Sequence, residues 1–191
     1  MLLVDSREKP KAIKTILKQF EDAGVAYSVT KLFIGDYQDY AHPLLIVDRK
    51  QSIQELAANC TRDHDRFKRE CQRAAAAGYS LVVLVENRES VHDLDSLKKW
   101  TNDHCRMCGT GRKVKCNPHD GTKCPRHGTR KPIQGWRLAK AMQTMTERYN
   151  VKFMFCAPKD SARIICDLLG VSYEKGEEEV SRSTDTTNLQ R

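Results

Sequence analysis

Residues 80–86, Ser-Leu-Val-Val-Leu-Val-Glu, constrain this chain of 191 residues more than any other run. Five consecutive aliphatic residues, three of them β-branched, make a strand. A strand apolar at odd and even positions alike is buried on both faces. It therefore needs cover on two sides, which helices supply in sheets with parallel strands. The chain provides that cover. Ala12, Ile13, Ile16, Leu17 and Phe20 recur at helical spacing before Gly24. Residues 52–58 and 63–77 read as two more helices, and Gly135–Tyr149 is amphipathic through Trp136, Leu138, Ala139, Met142 and Met145. Residues 158–169 form a last helix, stopped by Gly170. Between them lie strand patterns at 1–5, 27–32, 34–40, 44–49 and 151–155. The expected fold class is α/β. The three consecutive strands from Tyr27 to Arg49 suggest a meander, and hence a mixed sheet flanked by helices.

Chemistry gathers between Gly35 and Lys50. The apolar run Leu44–Val47 ends abruptly in Asp48-Arg49-Lys50. Strand side chains alternate faces, so Asp48 and Lys50 should share one side and Arg49 the other. A turn through Pro43 would bring Asp36 back beside Asp48. Two carboxylates and an ammonium at the end of a hydrophobic sheet suit metal-assisted phosphodiester hydrolysis. Mg2+ typically takes one or two carboxylates plus waters and phosphate, and the lysine can orient the attacking water.

The chain is basic, with 33 Lys and Arg against 25 Asp and Glu, a net charge of +8 and a pI near 9.1. A polyanionic partner follows. Mean hydropathy is −0.64, and no apolar run approaches the ~18 residues of a membrane span. The start, Met1-Leu2-Leu3-Val4-Asp5, is too short and lacks the basic beginning of a signal peptide. An intracellular protein is expected, without a membrane partner, cytoplasmic at the nucleoid if its source is prokaryotic or phage. Cys60, Cys71, Cys156 and Cys166 are scattered in apolar or helical settings, whereas Cys105, Cys108, Cys116 and Cys124 fall within twenty residues. In an intracellular chain, clustered cysteines mean metal before disulfides.

Four residue groups coincide in order and spacing with one family. Val4-Asp5-Ser6-Arg7-Glu8, Ile34-Gly35-Asp36-Tyr37, Val47-Asp48-Arg49-Lys50 and the strand 81–86 resemble the nuclease domain of XPF-type structure-specific endonucleases. Residues 151–169 resemble its closing strand and helix. The resemblance implies a restriction-endonuclease-like fold. It also implies Mg2+ or Mn2+ held by Asp36 and Asp48, with Arg49 and Lys50 in catalysis. Asp5 and Glu8 would lie near the metal, and Arg7 near the phosphate. The implied substrate is branched or junction DNA: a flap, a fork or a single-strand/duplex boundary met in repair, recombination or replication. Three features depart from the family. Asp48 stands where glutamate is usual, and it keeps the ligand one methylene shorter. Gln54 stands where an acid is usual, with Glu55 one position later. The tandem helix-hairpin-helix module of many members is not within these residues, so dimerisation through sheet-flanking helices, or a separate DNA-binding partner, is expected.

These readings divide the chain into a nuclease domain, residues 1–86 and 131–170, a basic cysteine-rich insertion, 87–130, and a disordered tail, 171–191. Cys105, Cys108, Cys116 and Cys124 are enough for a structural Zn2+ site, Cys-x2-Cys being the usual knuckle, and His119 or His127 can replace one cysteine. Residues 106–131 hold eight Lys or Arg and one acid, Asp120. Arg112, Lys113, Lys115, Arg130 and Lys131, with Arg66 on the basic helix 63–77, are the expected DNA contacts. Trp100 could stack on a base, but at the end of a short helical run such a residue more often packs. The function expected is a divalent-metal-dependent DNA endonuclease. The rivals are a non-catalytic DNA-binding partner and a zinc-dependent RNA-binding protein.

Overall fold

The computed structural model describes residues 1–108, 124 and 131–174. Six strands form one sheet: β1 (Leu2–Asp5), β2 (Tyr27–Thr30), β3 (Tyr37–Asp39), β4 (Leu45–Lys50), β5 (Ser80–Glu86) and β6 (Lys152–Cys156). Their spatial order is β2-β1-β3-β4-β5-β6. β3 runs antiparallel to both β1 and β4, and every other neighbouring pair is parallel. The sheet is mixed, as expected, but residues 27–49 are not a meander. β2 lies outside β1, parallel to it, because the helix α1 (Pro10–Asp22) spans the gap as a crossover. Parallel neighbours require such a crossover.

Among the described residues five further helices follow: α2 (Ile53–Asn59), α3 (His64–Ala76), the short α4 (Leu94–Lys98) and α5 (Asp103–Arg106), and α6 (Gly135–Tyr149). α7 (Ser161–Leu169) is the last helix among the described residues, after a 3-10 turn at Pro158–Asp160. Ends are marked by local chemistry. The Ser52 side chain accepts from Glu55 N–H to start α2, and Asn150 and Gly170, both in the left-handed region, terminate α6 and α7.

Strand alternation builds two cores. Ile46, Leu81, Val83 and Val85 face α2, α3 and α6, together with Leu56, Phe67, Leu138 and Met142. Val47, Val82 and Leu84 face the other way, onto Ile16 and Phe20 of α1 and Ile165 and Leu169 of α7. β5 contributes to both, which is why its sequence is apolar throughout. Residues 87–108 do not stand apart from this body. Leu97 and Trp100 are buried in the first core, and Trp100 Nε1 donates to Glu89 at 3.3 Å. Packing rather than periodicity holds this stretch, so the helical pattern is too short to read. No helix among the described residues is long and apolar enough to cross a membrane.

Candidate active site

Backbone pairing assembles the site. Val4 on β1 and Val47 on β4 both pair with Tyr37 of β3. One step beyond, Asp5, Asp36 and Asp48 lie side by side across three adjacent strand ends. Main-chain bonds hold this row: Asp5 N–H donates to Asp36 O at 2.8 Å, and Asp36 N–H to Val47 O at 2.9 Å. Since Val4, Tyr37 and Val47 point into the α1–α7 core, the three aspartates point to the opposite face, towards α2 and α3. All three are buried.

Asp36 sits in the bend before β3, not within the strand. Its Oδ2 accepts the Arg49 N–H at 2.7 Å, so the carboxylate hangs from the β4 main chain. Lys50 shares the Asp48 face. Its Nζ donates to Asp48 Oδ1 at 2.9 Å and lies 2.7 Å from Oδ2. The second approach lacks hydrogen-bond geometry, and Oδ2 has no hydrogen-bond partner among the described residues. The ammonium also rests 5.6 Å from the Phe67 ring centre of α3. Burial, and then the neighbouring Asp48, hold the Asp36 carboxyl well above the usual carboxylate range. Burial alone would lower the lysine. Asp48 and Asp36 outweigh it and keep Lys50 above its ordinary value.

Two glutamates flank this centre. Glu8, half-buried between β1 and α1, is raised by burial and then by Asp48. Glu70 of α3 is raised by the same two causes and accepts the Gly35 N–H at 3.4 Å. The sequence reading missed Glu70 by taking α3 as a basic face. Its signal was an acid bordering the buried stripe of Phe67, Cys71 and Ala74.

Other expected residues fall elsewhere. Asp5 is in the row, but its oxygens accept from Arg7 Nε at 3.1 and 2.8 Å, with Arg7 Nη2 2.7 Å from Oδ2. It orients Arg7, whose Nη2 also reaches Leu32 O at 2.9 Å. Arg49 faces away from the acids. Its Nε meets Glu86 Oε1 at 2.6 Å and its Nη1 Ala12 O at 3.1 Å, while Ser161 Oγ donates to the same glutamate oxygen at 2.5 Å. That network ties β4 to β5, α1 and α7 on the far side of the sheet. Glu55 accepts the Gln51 N–H at 2.8 Å at the start of α2, and Arg66 is exposed on α3, one turn before Glu70.

Of the insertion, Cys105, Cys108 and Cys124 are described, none in a disulfide. Gln134 Nε2 donates to Cys105 Sγ at 3.1 Å, anchoring this end of the insertion to the start of α6. Lys131 lies just before α6. Cys116, His119, His127, Arg112, Lys113, Lys115 and Arg130, and the tail from 175, lie outside the described residues. Among the described residues no three His, Cys, Asp or Glu side chains close into a finished metal cage.

The row of acids and its caged lysine thus lie where the inner strands β1, β3 and β4 end, in a mixed sheet with helices on both faces. The ERCC4 domain model matches residues 4–168. The chain belongs to that family, a family of nucleases. It is similar in structure to XPF from Aeropyrum pernix, with a TM-score of 0.54 and 22% identity over 89% of this chain and 65% of that one. A second structure, XPF from Aeropyrum pernix in complex with DNA, gives a TM-score of 0.52 and 22% identity over 88% and 62%. The chain thus spans under two thirds of the XPF chains it matches. No curated protein matches the sequence.

Proposed function

We propose that the chain is a divalent-metal-dependent DNA endonuclease that cuts branched or junction duplexes in repair, recombination or replication. The alignment of Asp36 and Asp48 with Lys50 at one end of the inner strands β3 and β4 carries this reading. The donor set fits a hard cation: two buried carboxylates face one side, and Asp48 Oδ2 lacks a hydrogen bond there. Mg2+ and Mn2+ need few protein ligands, because water and phosphate complete the shell, so the lack of a three-residue cage is consistent with them. Asp36 and Asp48 would hold the cation, with Glu8 beside them. Bound there, it would neutralise phosphate charge and acidify a water.

The protein's own groups do the rest. Lys50, kept charged by its acids, donates to the attacking water or a phosphate oxygen. Arg7, oriented by Asp5 with its side chain half exposed, contacts the backbone phosphate. Arg49 acts from behind the sheet by fixing β4 rather than by touching DNA.

The deciding assay offers fork, flap and linear DNA with and without Mg2+ or Mn2+. Metal-dependent cutting near the branch is expected. Metal-dependent binding without cutting would make the chain a non-catalytic partner.

The insertion supplies the duplex grip. We assign Zn2+ to Cys105, Cys108, Cys116 and Cys124 on the Cys-x2-Cys spacing alone, since the three described thiols do not by themselves gather into a metal group. Elemental analysis should find about one zinc per chain, in line with a closed four-ligand site. Replacing Arg112, Lys113 and Lys115 together by alanine should weaken binding roughly tenfold or more at low salt and flatten the salt slope by about one unit per lost phosphate contact. Filter binding across a salt series measures both, and an unchanged slope would remove the basic insertion from the interface. Further duplex contacts come from a second copy or a separate DNA-binding partner, which sedimentation with and without DNA distinguishes.

A further inference from the structure

Asp36 is pinned on two sides by strands: its N–H and Oδ2 by β4, and its carbonyl by β1. The residue before it, Gly35, stands at φ +66°, where a side chain is strained, and a Cβ there would meet Ile46 Cγ2 and lie 3.2 Å from Val47 O. The turn is therefore pressed against β4. Its buried N–H points away from the sheet, towards α3, where Glu70 Oε1 accepts it at 3.4 Å. α3 is fixed to the same place by Phe67, three residues earlier, whose ring faces Lys50. Arg66 lies one turn back and draws on the Glu70 charge, yet the carboxylate turns inward to Gly35.

We propose that Glu70 is a positioning residue that locks the Gly35–Asp36 turn and so sets where the Asp36 carboxylate can receive a cation. It acts through Asp36 and is not itself a ligand. The cation half rests on the nuclease reading above, while the turn half does not.

The chemistry separates hydrogen bond from charge. Glutamine at 70 keeps an oxygen that accepts from Gly35 N–H and loses the charge, whereas alanine loses both. Two measurements on the full chain decide it: amide hydrogen exchange of Gly35 in metal-free protein, and Mn2+ affinity by titration without DNA. Glu70→Ala should speed Gly35 exchange about tenfold and weaken Mn2+ binding by a similar factor, on the scale of one hydrogen bond. Glu70→Gln should restore both to within about threefold of wild type, since the same bond remains. Thermal melting of each variant separates this from general unfolding.

Unchanged Gly35 exchange in Glu70→Ala would overturn the proposal. So would Glu70→Gln that protects Gly35 but binds Mn2+ as poorly as Glu70→Ala, because the charge would then act on the cation directly. If wild-type protein binds no Mn2+, the nuclease reading fails with the cation half, and Gly35 exchange alone decides the turn.

Discussion

Asp48→Asn is expected to slow cleavage of forked DNA by about a thousandfold or more, the scale on which removing one preformed electrostatic partner acts, with binding held within a few fold. Asparagine keeps the shape of the residue at the β4 end of the acid row and removes its charge. Lys50→Met should do the same from the other side of the ion pair. Initial rates on a labelled fork, with Mn2+ tried beside Mg2+, measure the loss. Wild-type cutting by either variant would sink the assignment.

Stability should separate the two partners' roles. Only 4% of the Asp48 side chain and 9% of the Lys50 side chain are exposed. Asp48→Ala strands a buried ammonium, a change that costs ~3–5 kcal/mol when nothing else compensates. Asp36 and Glu70 also face the lysine, so about 2 kcal/mol is the expected loss. Adding Lys50→Met to Asp48→Ala should recover most of it in urea denaturation, because no unpaired charge then remains.

Gly135→Ala should be among the most damaging single methyl additions to the fold. The glycine opens α6 where α4 crosses it, and its N–H donates to Trp100 O at 3.1 Å. An added Cβ would meet Leu97 O and lie 2.9 Å from Trp100 O. Both are main-chain atoms, which cannot swing aside as a side-chain tip can. The helices must separate, opening the core around Leu97, Trp100 and Leu138. A loss of about 3–4 kcal/mol is expected, the upper range for overpacking, which lowers Tm by roughly 10 °C for a chain of this length. A melt within a degree of wild type would show that α4 and α6 do not approach as described.

The carboxylate pair was legible in the sequence because strand alternation and a short hairpin are local rules. Asp48 and Lys50 share a face for the same reason that Val47 and Arg49 share the other. The order of the strands was not legible. Whether β2 joins β3 or β1 depends on α1 packing across the sheet, and nothing in Tyr27–Thr30 encodes it. Glu70 was hidden because its meaning comes from Gly35, thirty-five residues away. The expected catalytic part for Arg49 came from the family resemblance, whereas alternation already put it opposite Asp48, and there its guanidinium meets Glu86 and Ala12 O. Residues 87–108 read as part of the insertion because Leu97 and Trp100 are isolated apolar residues, and only tertiary packing turns them into core.

The Asp36 carboxylate hangs from a peptide N–H of β4, so chain length gauges the acid row as much as side-chain identity does. One codon gained or lost between residues 45 and 48 would rotate Asp48 and Lys50 to the α1 side while Asp36 stayed behind. The same change at 41–43 would merely alter a loop. Such a site tolerates drift in the letters around its centre but is brittle to insertion and deletion.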